Sequence, residues 1–299
     1  MKKWLMVIRA PFLPLALILA FLGTAIAWYE GSFRLSFALL AGLGLLLTHI
    51  SVDVFNEYFD YKSGVDLKTQ KTPFSGGSGA LPAGLITSSQ ALLLGVASLL
   101  AAVPIGIYFI LVIDSGWQLL PLLLVAASCI VLYTPVILKT KWPEWAPGVG
   151  LGTLPILGAY FVQTGAYTVP ALIAAVPSGI LVHNLLLLNE FPDAEADSTA
   201  NRKTLPITMG KTKAGIFYSV MTGLVYLWII GFVIAGKMPA FSLIALLTLP
   251  FAVKAIRGAL KPQEMSKLAP AQASNVIVVL LTQLLLGAGF ILAKVFEIG

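Results

Sequence analysis

Nine runs of about twenty predominantly apolar residues constrain this chain more than any other feature. They fall near 11–28, 35–58, 88–113, 117–138, 147–164, 168–190, 213–235, 239–257 and 273–296. Each is long enough to cross a bilayer as a helix, and a helix satisfies all its backbone groups within the one segment. Composition agrees: 58% of the 299 residues are hydrophobic and 11% are charged, against about 25% charged in a soluble domain. The expected fold is an all-α integral membrane protein, a single domain of nine helices in the lipid bilayer. The opening stretch MKKWLMVIRAPFLPLALILAF is read as a retained first helix. Arg9 and Pro11 interrupt its early apolar run, and the apolar stretch that follows is longer than the roughly 7–15 residues of a leader peptide.

The 19 Lys and Arg residues set the expected orientation. With the N-terminus inside, sixteen lie in cytoplasmic segments, and only Arg34, Lys237 and Lys294 lie outside. The positive-inside rule then places the N-terminus in the cytoplasm and the C-terminus outside. The connections on the external side are short turns, whereas 60–86 and 191–212 are long. Function concentrates on long loops, so the active site is expected on the cytoplasmic side of the plasma membrane. These basic loops account for the net charge of +6 without a nucleic-acid partner. A single Cys129 excludes an internal disulfide. Two histidines, His49 and His183, without Cys/His ligand spacing argue against zinc.

Within this apolar background the segment SVDVFNEYFDYKSGVD, residues 51–66, is an anomaly. Ionisable groups at membrane depth are costly and mark function. Asp53, Asn56 and Asp60 fall at i, i+3 and i+7, one helical stripe, and Asp66 follows beyond Gly64. Four helices later, NEFPDAEAD repeats the pattern. Asn189, Asp193 and Asp197 fall at i, i+4 and i+8, one stripe if the helix runs on through Pro192. Pro192 biases Phe191 away from helical geometry, so a kink or a fresh helix start there is the alternative. Any one of these acidic residues could be a solvated helix end; two matched stripes at one membrane face point to a site. Clustered hard oxygen donors suit Mg²⁺, which is typically held by one or two carboxylates and substrate phosphates. Basic residues follow each motif: Lys62, Lys68 and Lys71 after the first, Arg202 and Lys203 after the second. Metal ligands beside cations for phosphate oxygens describe a diphosphate site. The run PFSGGSGALPAG, residues 73–84, lacks a nucleotide-binding G-K-[S/T] ending and reads as a lid whose amides can reach a phosphate. His183 and Asn184 lie between two and three turns before Asp193; they are placed to bond either an aromatic acceptor or a neighbouring helix. A transporter would carry its ionisable groups near the midplane, whereas these cluster at one face.

NEYFDYKSGVD and NEFPDAEAD…RKTLPITMG resemble the two aspartate-rich motifs of the UbiA superfamily of intramembrane prenyltransferases. The first is most similar to the N-D-Y-x-D-Y-x-x-G-x-D form of the menaquinone branch, the MenA-type 1,4-dihydroxy-2-naphthoate prenyltransferases. The resemblance covers the whole chain. It implies that Asn56, Asp60 and Asp66 hold one Mg²⁺ and that Asn189, Asp193 and Asp197 hold a second. The two ions would bridge the diphosphate of a polyprenyl diphosphate donor, with Asp60 and Asp193 central to catalysis. Lys71, Lys203 and Arg9 resemble basic residues that contact diphosphate, and Arg202 stands beside Lys203. Tyr133 in LYTPVILK resembles a tyrosine ending the fourth helix, with Lys139 as its basic follower and Lys141 as a competitor. The implied acceptor is aromatic, 1,4-dihydroxy-2-naphthoate or a related quinone precursor; other members of the superfamily act on 4-hydroxybenzoate, a glycerol-phosphate lipid or haem. Glu57 stands where the first motif usually has Asp, and Glu190 and Pro192 stand where that branch has Asn and Arg.

Overall fold

The computed structural model describes residues 2–69, 72 and 74–297. All regular structure among them is helical. A short helix α1 (Lys2–Val7) precedes nine apolar helices: α2 (Ala10–Tyr29), α3 (Leu35–Ser63), α4 (Ser88–Val112), α5 (Gly116–Leu132), α6 (Trp145–Thr164), α7 (Val169–Thr199), α8 (Lys211–Ile234), α9 (Ala240–Ala259) and α10 (Met265–Val295). Eight are long and apolar enough to cross a membrane, and α5 is shorter. The outer surfaces carry large apolar side chains such as Leu111 and Ile234, 77% and 82% exposed. In water such a surface would drive association; in lipid it is matched to its solvent.

The sequence-derived bounds shift at three places that matter for the site. Helix α3 runs on to Ser63 and closes at Gly64, whose φ of 75° provides the left-handed cap. Asp53, Asn56 and Asp60 therefore share one unbroken helix. Helix α5 stops at Leu132 rather than near 138, because Thr134 precedes Pro135 and is steered from helical geometry. Helix α7 continues through both Pro177 and Pro192 to Thr199. Each proline removes the bond to the carbonyl four residues earlier, and each orphaned carbonyl finds a donor on another helix. Trp228 Nε1 of α8 donates to Ile173 O at 2.9 Å, and Gln272 Nε2 of α10 donates to Leu188 O at 3.3 Å.

Helix α7 is the centre of the bundle: 72% of its most apolar stretch is buried, against 22% for α4. Leu19, Leu22 and Ile26 of α2, Ile156 and Tyr160 of α6, Leu181 and Val182 of α7, and Val278 and Leu286 of α10 form the main core. The α6–α7 contact is close. A Cβ on Gly152 would lie 2.7 Å from Ser178 O, so only glycine allows this approach. Beside it α6 widens into a π-helical turn at Gly148–Thr153, a feature frequent at functional sites.

Candidate active site

The two acidic stripes meet. Asn56, Asp60 and Asp66, together with Asn189, Asp193 and Asp197, line one polar cavity of about 80 Å³, joined by Arg9, Tyr133, Glu190 and Arg202. Helix α3 supplies Asn56 and Asp60. The 3₁₀ turn Val65–Leu67 behind Gly64 turns Asp66 back toward them. Helix α7, unbroken at Pro192, supplies the other three.

Charged and neutral hydrogen-bond donors hold these side chains. Arg202 forks across the two motifs: Nη1 donates to Asp197 Oδ1 at 2.7 Å and Nη2 donates to Asp60. Asp193 accepts from the Thr69 hydroxyl and, at 3.2 Å, from the backbone N–H of Gly76. Arg9 has left-handed backbone geometry at φ 46° and donates through Nε to Glu57 at 2.8 Å. Fully buried Glu57 also accepts from Ser78 N at 2.6 Å and Ser78 Oγ at 2.7 Å. Glu57 thus ties the N-terminal segment and the glycine-rich loop to α3, and it does not line the polar cavity. Two amides of that glycine-rich loop, those of Gly76 and Ser78, are given to Asp193 and Glu57. Burial works against the Arg9 charge, but Glu57, with Asp53 and Asp60 behind it, outweighs burial and holds its pKa above the ordinary arginine value. Burial opposes the Arg202 charge in the same way, and Asp60 and Asp197 reverse it. Burial, with Glu190 and Glu144 nearby, raises Tyr133 well above the usual phenol range, so its hydroxyl stays protonated.

A second, apolar chamber of about 210 Å³ lies against the polar one. Its walls come from α2 to α7 and include Ala126, Cys129, Gly150, Leu154 and Phe109. Arg9, Asn56, Tyr133 and Leu186 line both spaces. Polar and apolar ligand portions can therefore lie side by side, with the junction at Tyr133.

Among the described residues, no three His, Cys, Asp or Glu side chains stand close enough to hold an ion by themselves. The donors do include amides, however. Asn56 Oδ1 and Asn189 Oδ1 are buried without a hydrogen-bond partner, one from each stripe. Two buried acceptors, beside Asp60 and Asp197 that pair with the Arg202 guanidinium, fit a hard cation that takes few protein ligands and completes its shell with water and phosphate.

The remaining expected site residues lie elsewhere. Lys139 and Lys203 are exposed and line neither cavity, although Lys203 N bonds Leu138 O at 2.8 Å beside it. Lys71 lies outside the described residues. His183 and Asn184 also line neither cavity and serve the packing between helices. Trp142 Nε1 donates to His183 Nε2 at 2.8 Å; Asn184 Nδ2 donates to Tyr218 O at 3.0 Å and Thr222 Oγ1 at 2.9 Å. Sequence reasoning did not find the Glu57 hub or the Thr69 contact, since both rest on folding a loop back over two helices.

The chain matches the profile of the UbiA prenyltransferase family over residues 16–293. It is 30% identical over 254 residues to the 1,4-dihydroxy-2-naphthoate octaprenyltransferase of Bacillus subtilis (strain 168), covering 84% of this chain and 78% of that one. Its fold is similar to that of a UbiA homologue from Aeropyrum pernix K1, with a TM-score of 0.68 at 17% identity over 94% of this chain and 97% of the other. It is also similar to a UbiA homologue from Archaeoglobus fulgidus bound to DMAPP and Mg²⁺, with a TM-score of 0.64 at 14% identity over 95% and 99%. With a family match over nearly its whole length, the chain belongs to the UbiA prenyltransferase family and is a membrane prenyltransferase.

Proposed function

We propose that this protein transfers a polyprenyl group from an allylic diphosphate to an aromatic acceptor, 1,4-dihydroxy-2-naphthoate or a related quinone precursor, with Mg²⁺ as cofactor. One observation carries the reading: two Asn/Asp stripes line a single polar cavity that shares Arg9, Asn56, Tyr133 and Leu186 with an apolar chamber. The naphthoate prenyltransferase relative supports the acceptor class. The DMAPP and Mg²⁺ bound by the Archaeoglobus homologue support the donor class and the metal.

On this reading Asn56, Asp60 and Asp66 hold one ion and Asn189, Asp193 and Asp197 the other. Bound Mg²⁺ supplies charge compensation for the departing pyrophosphate. Arg9 and Arg202 place fixed positive charge at the same cavity, where low dielectric strengthens it. Lys71, Lys139 and Lys203 complete the proposal as basic residues of the loops, drawing the diphosphate toward the cavity. The carbon–oxygen bond of the donor breaks and its electron pair leaves with pyrophosphate. The allylic cation faces the apolar chamber, whose walls keep water from it, and the Tyr133 ring at the junction can stabilise it. A ring carbon of the acceptor then supplies the electron pair for the new carbon–carbon bond, and aromaticity returns as that carbon loses its proton, or its carboxylate as carbon dioxide, leaving the bonding pair in the ring. The positive-inside count supports a cytoplasmic position for the polar cavity in the plasma membrane.

The test uses membranes containing the full chain, labelled prenyl diphosphate, Mg²⁺ and 1,4-dihydroxy-2-naphthoate. Asp60→Ala and Asp193→Ala are each expected to lower the rate at least about 100-fold, and chelation of divalent cations is expected to abolish it. Full activity in both variants would overturn the assignment.

A further inference from the structure

Asp53 is not used by the diphosphate site, yet its surroundings are those of a ligand contact. It lies on α3 one turn before Asn56 and two before Asp60, about 4.5 Å and about 10 Å from them along the axis. It lines the apolar chamber and does not line the polar cavity. Among the described residues it is the one carboxylate in the chamber wall. Its Oδ2 is buried and accepts no hydrogen bond. The nearest basic group on its helix, His49 Nε2, is 3.6 Å away, beyond hydrogen-bond length. Buried His49 Nδ1 also lacks a partner. Arg9 faces the same space but directs its Nε to Glu57. A buried carboxylate oxygen without a donor is costly and calls for an explanation.

Three chemical groups reach this region under the proposed function, and only one suits Asp53. A prenyl chain is hydrocarbon and donates no hydrogen bond. A diphosphate is an anion, which a second anion repels. The hydroxyl of an aromatic acceptor donates a hydrogen bond, and its ring is at home among the apolar walls. We infer that the Asp53 carboxylate, whose side chain is 15% exposed, accepts a hydrogen bond from the hydroxyl of the aromatic acceptor, with His49 as the residue that positions it. This inference rests on the proposed function and deepens it by assigning the residue that selects the acceptor. The ring then lies next to Tyr133 and Asn56, where the two spaces meet and where the diphosphate-bearing carbon must sit. A hydrogen bond given to a carboxylate also leaves the hydroxyl oxygen more electron-rich, which favours attack by the ring. An acidic substituent on the same ring is repelled by Asp53 and turns toward Arg9.

The experiment compares paired acceptors with purified full-length protein in liposomes: 1,4-dihydroxy-2-naphthoate and each of its mono-O-methyl ethers, at saturating prenyl diphosphate and Mg²⁺. The wild type is expected to prefer the free hydroxyl over one of the ethers by about 10- to 100-fold in kcat/KM, the range for a hydrogen bond to a charged group. Asp53→Ala is expected to bring that ratio to within about threefold and to raise the acceptor KM. The donor KM and the Mg²⁺ dependence should not move. Asp53→Asn, which keeps an acceptor oxygen, should retain a reduced preference, and His49→Gln should weaken it in part. An unchanged hydroxyl-to-ether ratio in Asp53→Ala would overturn the inference, as would a rise in donor KM or Mg²⁺ requirement. Should Asp53→Ala not fold, an undiminished ratio in Asp53→Asn has the same force. If the wild type binds the prenyl diphosphate but prenylates none of these acceptors, the proposed function itself fails and this inference falls with it. Wild-type turnover with an unmoved ratio sinks the inference alone.

Discussion

Glu57 looks in sequence like another member of an acidic motif, since it sits between Asn56 and Asp60. In the fold it points elsewhere, to Arg9 and Ser78. On a helix, residues one apart face about 100° apart, so adjacency in sequence separates these side chains rather than gathering them. Asp66 shows the reverse. It lies off the helix, but the loop returns it to the cavity, where it packs against Gly77. Gly77 has φ +69°, and a Cβ there would lie 2.8 Å from Asp66 Oδ1 and 3.0 Å from Oδ2. Gly77→Ala therefore displaces the Asp66 carboxylate as well as straining the loop. Under the proposed function the Mg²⁺ concentration for half-maximal activity should rise by about tenfold or more. Gly84→Ala is the control: Gly84 has φ +66° with nothing near its would-be Cβ, so that substitution adds backbone strain alone. Equal effects of the two on the Mg²⁺ titration would show that strain, not the carboxylate, matters.

At the scale of the element, the second stripe depends on α7 surviving its prolines. The spacing of Asn189, Asp193 and Asp197 is legible in sequence, and so is the threat posed by Pro192. What rescues the helix is not legible, because the donor to Leu188 O is Gln272, 84 residues away on α10. Local propensity states the cost, and tertiary structure supplies the remedy. The same limit applies to His183 and Asn184, whose depth on α7 could be counted but whose bearing toward Trp142, Tyr218 and Thr222 depends on how α8 and the preceding loop pack. Gln272→Ala should leave the Leu188 carbonyl buried without a donor, at a cost of about 1–3 kcal/mol. The C-terminal half of α7, which carries Asp193 and Asp197, should loosen with it. Pro192→Ala restores an N–H that can bond Leu188 O within the helix. The double variant Gln272→Ala/Pro192→Ala should then recover most of the lost thermal stability, measured by unfolding in detergent. Additive losses across this cycle would mean that Gln272 does not stand in for the missing helical bond.

For the whole molecule, the apolar runs and the charge count set different things. The runs dictate an all-helical bundle, since no other structure in lipid satisfies the backbone segment by segment. They also anticipate where the helices lie, because each must be bounded by polar turns. They say nothing of which end faces the cytoplasm. That is carried by Lys and Arg alone, which nine crossings would divide sixteen to three. The polar cavity lies at the end of the bundle reached by the C-terminal parts of α3 and α7, which is the side of Lys68, Arg202 and Lys203. Transfer of basic residues across the membrane is disfavoured during insertion, so this end should remain inside the cell. Thiol labelling checks it. Cys129, the one native cysteine, is buried, and Cys129→Ala provides a silent background. Lys237 is exposed in the α8–α9 turn, and Lys203 is exposed beyond α7. In intact cells Lys237→Cys should react with a membrane-impermeant maleimide, whereas Lys203→Cys should react only after the membrane is opened. The opposite pattern would place the acidic cavity on the outer face. A donor made in the cytoplasm could not then reach it, and the cytoplasmic reading of the site would have to be abandoned even though every contact within the cavity stayed the same.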